Sequence, residues 1–220
     1  MQIVKQSHKI LKLDGEALQQ IETAGRTCYQ SQDKVTEKSA EKFVEMLQKR
    51  NHMAMIEFAD MTVKFVTNRG VTHELVRHRM CSFAQESTRY VKYDGDMEFI
   101  KPVWCKDELI GKYNNDRILE NFHKMFPGPE REAESIFVID CFSSERTYQQ
   151  LLEYNWRPEQ AREVLPNSLK TEICVKANLR EWLHIFSLRT SKAAHPQIRE
   201  LMLGLLNDVA ERLPSVFGGI

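Results

Sequence analysis

The sequence predicts an α/β (α+β) fold: a single, mainly helical domain around a small sheet, spanning residues 1–220. Three observations carry this expectation. Several windows repeat apolar residues at helical spacing, a few short windows alternate as strands do, and no internal repeat, low-complexity tract or Pro/Gly/Ser-rich linker divides the chain. A chain of 220 residues is also long enough to bury one good-sized core.

Residues 2–7 read as a short strand. Asp14 is placed to cap a helix running to about residue 24 with Ala17, Leu18 and Ile21 inward, and Ser39 to cap a second with Phe43, Val44 and Leu47 on one face. Residues 57–67 alternate through Phe58, Met61, Val63 and Phe65 and are rich in β-branched side chains, which predicts a strand. Residues 71–77 read as a helix, and 97–100 as a strand closed by Pro102. A long amphipathic helix is expected over 130–154 from apolar residues at 133, 136, 137, 141, 148, 151 and 152. Pro158 opens a shorter helix that Pro166 ends; 171–177 read as a strand, and 181–188 and 197–213 as helices.

Composition narrows the function classes. Lys plus Arg equals Asp plus Glu at 31 each, so no whole-protein field draws in nucleic acid or a membrane surface, and any phosphate binding must be local. Five cysteines, at 28, 81, 105, 141 and 174, form no C-x-x-C pair, which argues against a disulfide framework or structural zinc and fits reduced thiols in a cytosol. There is no apolar run of signal-peptide length and none near the ~20 residues of a membrane span, so a soluble, cytoplasmic protein is expected.

The run from Arg77 to Tyr90 holds three arginines, a histidine and the hydroxyls of Ser82, Ser87 and Thr88, a composition suited to anions. On a helix Arg77, His78 and Arg79 would point about 100° apart, so they would address different parts of a large charged ligand, or two ligands meeting there. Ser82, Gln85, Ser87, Thr88 and Arg89 suit a loop around a phosphate. The plain alternative is a solvated helix face on which Glu74 pairs with His78 or Arg77. His73-Glu74 followed by His78 is one residue too long for a metalloprotease helix: five steps put the two histidines about 140° apart, and no metal is expected. Neither a Walker A motif nor G-x-G-x-x-G occurs. Cys81 sits beside the cations, which would activate its thiol; the plain reading is a small packing residue. Farther on, Arg162, Asn178, Arg180, His184 and Arg189 interleave with an apolar set that includes Ile173, Val175, Trp182 and Phe186.

Arg77-His78-Arg79, seven residues, then Ser87, Arg89 and Tyr90 resemble the signature of flavin-dependent thymidylate synthases, the ThyX family. Gly25-Arg26-Thr27-Cys28-Tyr29, His52 with Glu57, Ala161 to Pro166, Asn178-Leu179-Arg180, Leu188 to Ser191 and His195-Pro196-Gln197 resemble other family segments in the right order. The resemblance implies a ThyX-like fold and a methyltransferase that turns dUMP into dTMP with 5,10-methylenetetrahydrofolate, FAD and NADPH. It implies a dUMP set of Glu74, Arg77, Gln85, Glu86, Ser87, Thr88, Arg89, Arg162 and Arg189, with Ser87 and Arg89 at the phosphate. An FAD set of His52, Ala54, Arg77, His78, Arg79, Gln85, Asn178, Arg180 and His184 is implied likewise. Arg189 is the implied catalytic group, a permanent cation that polarises the uracil ring. Family members need no enzyme nucleophile, and they work as homotetramers with shared active sites. Glu74 stands where Gln is common, Gln85 where Glu is common, Phe58 where His is frequent, and Ala54 and Cys28 where hydroxyls often occur.

Two other readings compete. A nucleic-acid module would use Arg77, Arg79 and Arg89 on phosphates and Phe83, Tyr90 and Tyr93 on bases; the balanced charge weighs against it. A catalytically inactive flavin- and nucleotide-binding relative would keep the fold without turnover; intact Ser87, Arg89, Arg162 and Arg189 argue against that.

Overall fold

The computed structural model describes residues 1–114 and 132–219. Its strands are β1 (Gln2–Val4), β2 (Ser7–Leu13), β3 (Asp60–Asn68), β4 (Ser82–Gln85), β5 (Glu98–Ile100), β6 (Gly111–Lys112) and β7 (Lys170–Asn178). Its helices are α1 (Ala17–Tyr29), α2 (Ser39–Lys49), α3 (Arg69–Leu75), α4 (Glu132–Glu153), α5 (Pro158–Ala161), α6 (Leu179–Arg189), α7 (Pro196–Arg212) and α8 (Pro214–Phe217). The fold class is the mixed, mainly helical one expected, with two small sheets, β5-β1-β6 and β2-β3-β7-β4. Backbone contacts divide the chain into two compact units: Met1–Ser7, Val66–Glu74 and Gln85–Ile173 form the first, and His8–Phe65, Leu75–Ala84 and Cys174–Ile220 the second.

In the first unit β1 pairs parallel with β5 and antiparallel with β6, and Ile3, Phe99, Leu109, Val138 and Tyr148 meet in one core cluster. The buried stripe of α4 is Glu134, Val138, Cys141, Glu145 and Tyr148, spaced as one helix face. Both glutamates satisfy backbone donors of neighbouring loops: Lys106 N donates to Glu134 Oε1 at 2.9 Å and Met97 N to Glu145 Oε1 at 2.7 Å. The apolar count misjudges this phase, because Ile136 is 64% exposed. The expected start of the helix at residues 130–131 lies outside the described residues.

In the second unit α1 packs on α2 and on a 3-10 segment, Met53–Phe58; α6 packs on the same segment and on α7. Glu22 and Arg26 form a buried ion pair at 2.6 Å inside α1. The Arg26 guanidinium also lies 4.8 Å from the Phe43 ring centroid of α2. Trp182 is fully buried, and its indole N–H donates to Met61 O at 3.1 Å.

Several local expectations need correction. The N-terminal strand is two strands: β2 is a mostly exposed edge whose lysines hide its alternation. Asp14 precedes the helix and binds Glu16 N and Gln20 Nε2 without capping it, and α1 continues to Tyr29. Ser39 is the first residue of α2, its hydroxyl engaged by Thr36 and Glu22. Residues 57–58 end the 3-10 segment, so β3 begins at Asp60 and Phe58 is 60% exposed. Helix α3 ends at Leu75, before the Arg-His-Arg run, and Ser82–Gln85 is a strand where a phosphate loop was expected.

Gly25 is where α1 makes its closest approach: a Cβ there would lie 2.5 Å from Phe43 Cε1. Gly25→Ala gains about 1 kcal/mol of helix propensity. It also overpacks the α1–α2 contact, a cost of about 1–3 kcal/mol. We expect a net loss on the order of 1 kcal/mol in urea denaturation, while Gly15→Ala, with nothing within 4 Å of the new methyl, costs nothing. A stabilised Gly25→Ala would contradict the packing described.

Candidate functional site

In the second unit the centre of the candidate site is helix α6, which starts without a loop where β7 ends. Asn178 adopts an extended backbone and accepts a 2.8 Å bond from Glu181 N, so its side-chain oxygen is the helix cap. Strand and helix together place Asn178, Arg180, Glu181, His184 and Arg189 at fixed intervals. Two cavities open here. One, of about 450 Å³, is lined by Cys28, Tyr29, His52, Ala54, Met55 and Arg180 among others. The other, of about 340 Å³, is lined by Glu57, Met80, Asn178, Arg180, Glu181 and His184. Arg180 lines both and is tied to Glu57 at 2.6 Å; His52 Nδ1 lies 3.0 Å from the Tyr29 hydroxyl. Ala54 and Cys28 both line the larger cavity and bring no hydroxyl to it.

The Arg-His-Arg run forms a turn after α3, with His78 N bonded to Leu75 O at 3.0 Å. His78 is buried while Arg77 and Arg79 are exposed, so the three side chains diverge for a reason other than helical spacing. Arg189 Nε donates to His78 Nε2 at 3.0 Å. His78 Nδ1 lies 3.7 Å from Glu181 Oε1, and the His184 ring stands edge-on at a centroid distance of 6.1 Å. Burial, then the Arg189 charge, then His184 bring the His78 pKa down to about 4, so the ring is neutral at pH 7. Burial and the Glu181 carboxylate push the Cys81 thiol up to about 12, which overturns the idea that its cationic neighbours activate it. His78, Glu181 and His184 each offer a metal-ligand atom, all within 4.8 Å. The Arg189 guanidinium already supplies a cation there, and His73 takes no part in the group.

In the first unit Gln85 lies at the end of β4, where its amide donates to Thr72 Oγ1 at 3.0 Å and Thr171 Oγ1 at 3.4 Å. Glu86 accepts a 2.6 Å bond from the Tyr93 hydroxyl, which burial and this carboxylate hold in its protonated form. Glu86 O also accepts from Arg69 Nη2 at 3.1 Å. Residues 87–91 form a turn closed by Val91 N to Ser87 O at 2.9 Å. Arg89 N reaches Ser87 Oγ at 3.3 Å, and the exposed Arg89 guanidinium lies 5.4 Å from the Tyr90 ring centroid. Thr88 is buried and accepts a 3.4 Å bond from Arg162 Nη1. Glu74, at the end of α3, is half-buried in the same unit.

Of the residues singled out for the two ligands, the structure thus gathers His52, Ala54, Asn178, Arg180 and His184 around the two cavities, and joins His78 to Arg189. It groups Ser87, Thr88, Arg89 and Arg162 around one turn. Sequence reasoning missed Glu181 and the pairings of Tyr29 and Tyr93. Glu181 carries one local signal, its position in the first turn of a helix capped by Asn178.

Because the folded pKa of His78 lies below its ordinary 6.5, the folded state binds fewer protons than the unfolded chain between pH 6.5 and about 4. The stabilisation is complete above pH 6.5 and is lost as pH falls through that window. Chemical denaturation should show His78→Leu losing less stability than the parent between pH 7 and 5. Equal slopes would mean that His78 is not buried as a neutral ring.

The family model described as thymidylate synthase complementing protein matches residues 9–215. The flavin-dependent thymidylate synthase of Mycobacteroides abscessus is 32% identical over 208 residues, covering 90% of this chain and 77% of the relative. That of Corynebacterium diphtheriae is 32% identical over 209 residues, covering 93% and 78%. The crystal structure of a UMP/dUMP methylase, PolB from Streptomyces cacaoi, bound with 5-Br dUMP, superposes with a TM-score of 0.76 at 21% identity over 99% of this chain and 96% of that one, a likeness of fold. The chain belongs to the flavin-dependent thymidylate synthase family.

Proposed function

We propose that this chain is a methyltransferase that makes dTMP from dUMP, with 5,10-methylenetetrahydrofolate as one-carbon donor, FAD as redox cofactor and NADPH as reductant. The observation that carries the reading is the convergence of His52, Ala54, Asn178, Arg180 and His184 on two cavities that share Arg180. An elongated dinucleotide with an apolar ring system and a charged diphosphate suits such a pair, the larger cavity being lined by Tyr29, Leu47, Met53 and Met55 and the arginine lining both. Arg77 and Arg79, exposed beside buried His78, complete the FAD set. When bound and reduced, FAD supplies the hydride.

The chain's own residues orient and polarise. Ser87 and Arg89, on one turn with Thr88 and beside Arg162, suit a phosphate: two hydroxyls, backbone donors and two guanidinium groups. Glu74, Arg77, Gln85 and Glu86 complete the proposed dUMP set. Gln85 and Glu86 serve it by fixing the strand and turn, since their side chains already bond Thr72, Thr171 and Tyr93. Arg189 stabilises negative charge developing on N3 and O4 of uracil while C5 becomes nucleophilic, and no enzyme thiolate is required, consistent with the raised pKa of Cys81. A cytoplasmic homotetramer with shared sites, acting through one domain of residues 1–220, belongs to the same proposal. It is supported by five free cysteines, by exposed Ile136, Ile139, Tyr154 and Trp156 available for association, and by the lack, among the described residues, of any helix able to cross a membrane.

The test is anaerobic. NADPH should bleach FAD bound to the protein, and dUMP with methylenetetrahydrofolate should reoxidise it and yield dTMP. Arg189→Ala should bind flavin and lose nearly all dTMP formation, leaving only a residual rate. Absence of flavin binding would refute the reading, and reducible flavin without dTMP would mark an inactive relative. Arg89→Ala removes charge-assisted bonds worth about 1.5–3 kcal/mol, so KM for dUMP should rise roughly tenfold or more. An unchanged KM would place the phosphate elsewhere.

A further inference from the structure

We propose that His78 is the positioning residue for Arg189, an imidazole protonated on Nδ1 whose Nε2 holds the guanidinium in place. This deepens the reading above and rests on Arg189 acting at the uracil ring.

A guanidinium has no acceptor and stays charged, so the 3.0 Å contact requires Arg189 Nε–H to donate and His78 Nε2 to accept. The proton of the neutral ring then sits on Nδ1, which faces Glu181 Oε1 at 3.7 Å. The carboxylate favours that tautomer, and the ring is nearly sealed from solvent, with 5% of its side chain exposed. Among the described residues, the charged and titratable groups that face the ring agree with one state. From α6 come Glu181, His184 and Arg189; from the ring's own segment, Arg77 and Arg79 are exposed and the Cys81 thiol stays protonated. Protonating His78 would set an N–H against the Arg189 N–H and break the contact.

Arg189 is the last residue of α6, and its 3.0 Å contact with His78 fixes the direction its long side chain takes from there. Glu181 lies in the first turn, about 12 Å away along the axis. His78, arriving from the turn after α3, spans the side chains reaching toward each other from the two ends. A neutral acceptor also leaves the positive charge of Arg189 undiminished. A carboxylate in the same place would offset the charge that must stabilise the uracil anion.

The test combines spectroscopy with kinetics on the FAD-loaded protein. In the long-range proton–nitrogen spectrum of histidine-labelled protein at pH 7, the His78 signal, assigned by its loss in His78→Gln, should show bare Nε2 and protonated Nδ1. The Nε2–H tautomer or an imidazolium would overturn the proposal. The Arg189 Nε–H signal should persist in His78→Gln, whose amide oxygen can accept, and vanish in His78→Leu; persistence in His78→Leu would also overturn it. In turnover, His78→Leu should lower kcat at least roughly tenfold with KM for dUMP and flavin affinity changed less, and His78→Gln should recover most of kcat. Equal kcat in the two variants would refute the clamp. Should the parent protein form no dTMP at all, the reading of the site fails, while the tautomer and the Arg189 signal still decide whether His78 holds Arg189.

Discussion

The junction at Asn178, where strand β7 becomes helix α6 without a connecting loop, is the constraint on which the second unit's site depends. Three bonds hold it: the Asn178 side chain accepts from Glu181 N at 2.8 Å, Leu179 N donates to Ala59 O at 2.9 Å, and the Trp182 indole donates to Met61 O at 3.1 Å. The last two acceptors flank the start of β3, so the helix begins at a height set by the start of that strand and by the end of the 3-10 segment. With 1.5 Å of rise per residue, that start fixes the positions of Arg180, Glu181, His184 and Arg189. Side chains placed by a capped helix are more precisely held than side chains on a loop, which is what polarising a substrate ring requires.

Electrostatics give the same residues distinct tasks. Arg180, half exposed and paired with Glu57, can exchange that partner for a ligand anion at small cost, because exposed ion pairs are worth little. Arg189 instead meets a buried neutral imidazole, an acceptor that holds it without cancelling its charge. The thiol of Cys81, held up by burial and the Glu181 carboxylate, stays protonated and is chemically quiet. One short turn and one helix therefore supply an exchangeable cation, a fixed cation and no nucleophile.

Much of this was legible in the sequence, and the rest was hidden for identifiable reasons. Strands β3 and β7 show themselves because one face is buried, so Met61, Val63 and Phe65, and Ile173 and Val175, alternate cleanly. Edge strand β2 carries lysines on an exposed surface and loses that signal. The stripe of α4 escapes an apolar count because Glu134 and Glu145 are buried to bond loop N–H groups, a use of polarity invisible in one dimension. Residue types that bind anions singled out His78, Ser87 and Arg89, and the family resemblance added Arg162 and Arg189. The contact between His78 and Arg189 did not, because it joins residues 111 positions apart. Glu181 gives no such signal, since its place in the site comes from which ring its carboxylate faces.

The central claim is that His78 and Arg189 act as one element, and a double-mutant cycle on kcat/KM for dUMP measures this directly. The account predicts strong coupling: His78→Leu in an Arg189→Ala background should cost almost nothing further, because the group it positions is gone. Losses that add to within about 0.3–0.5 kcal/mol would show two independent residues and contradict the account.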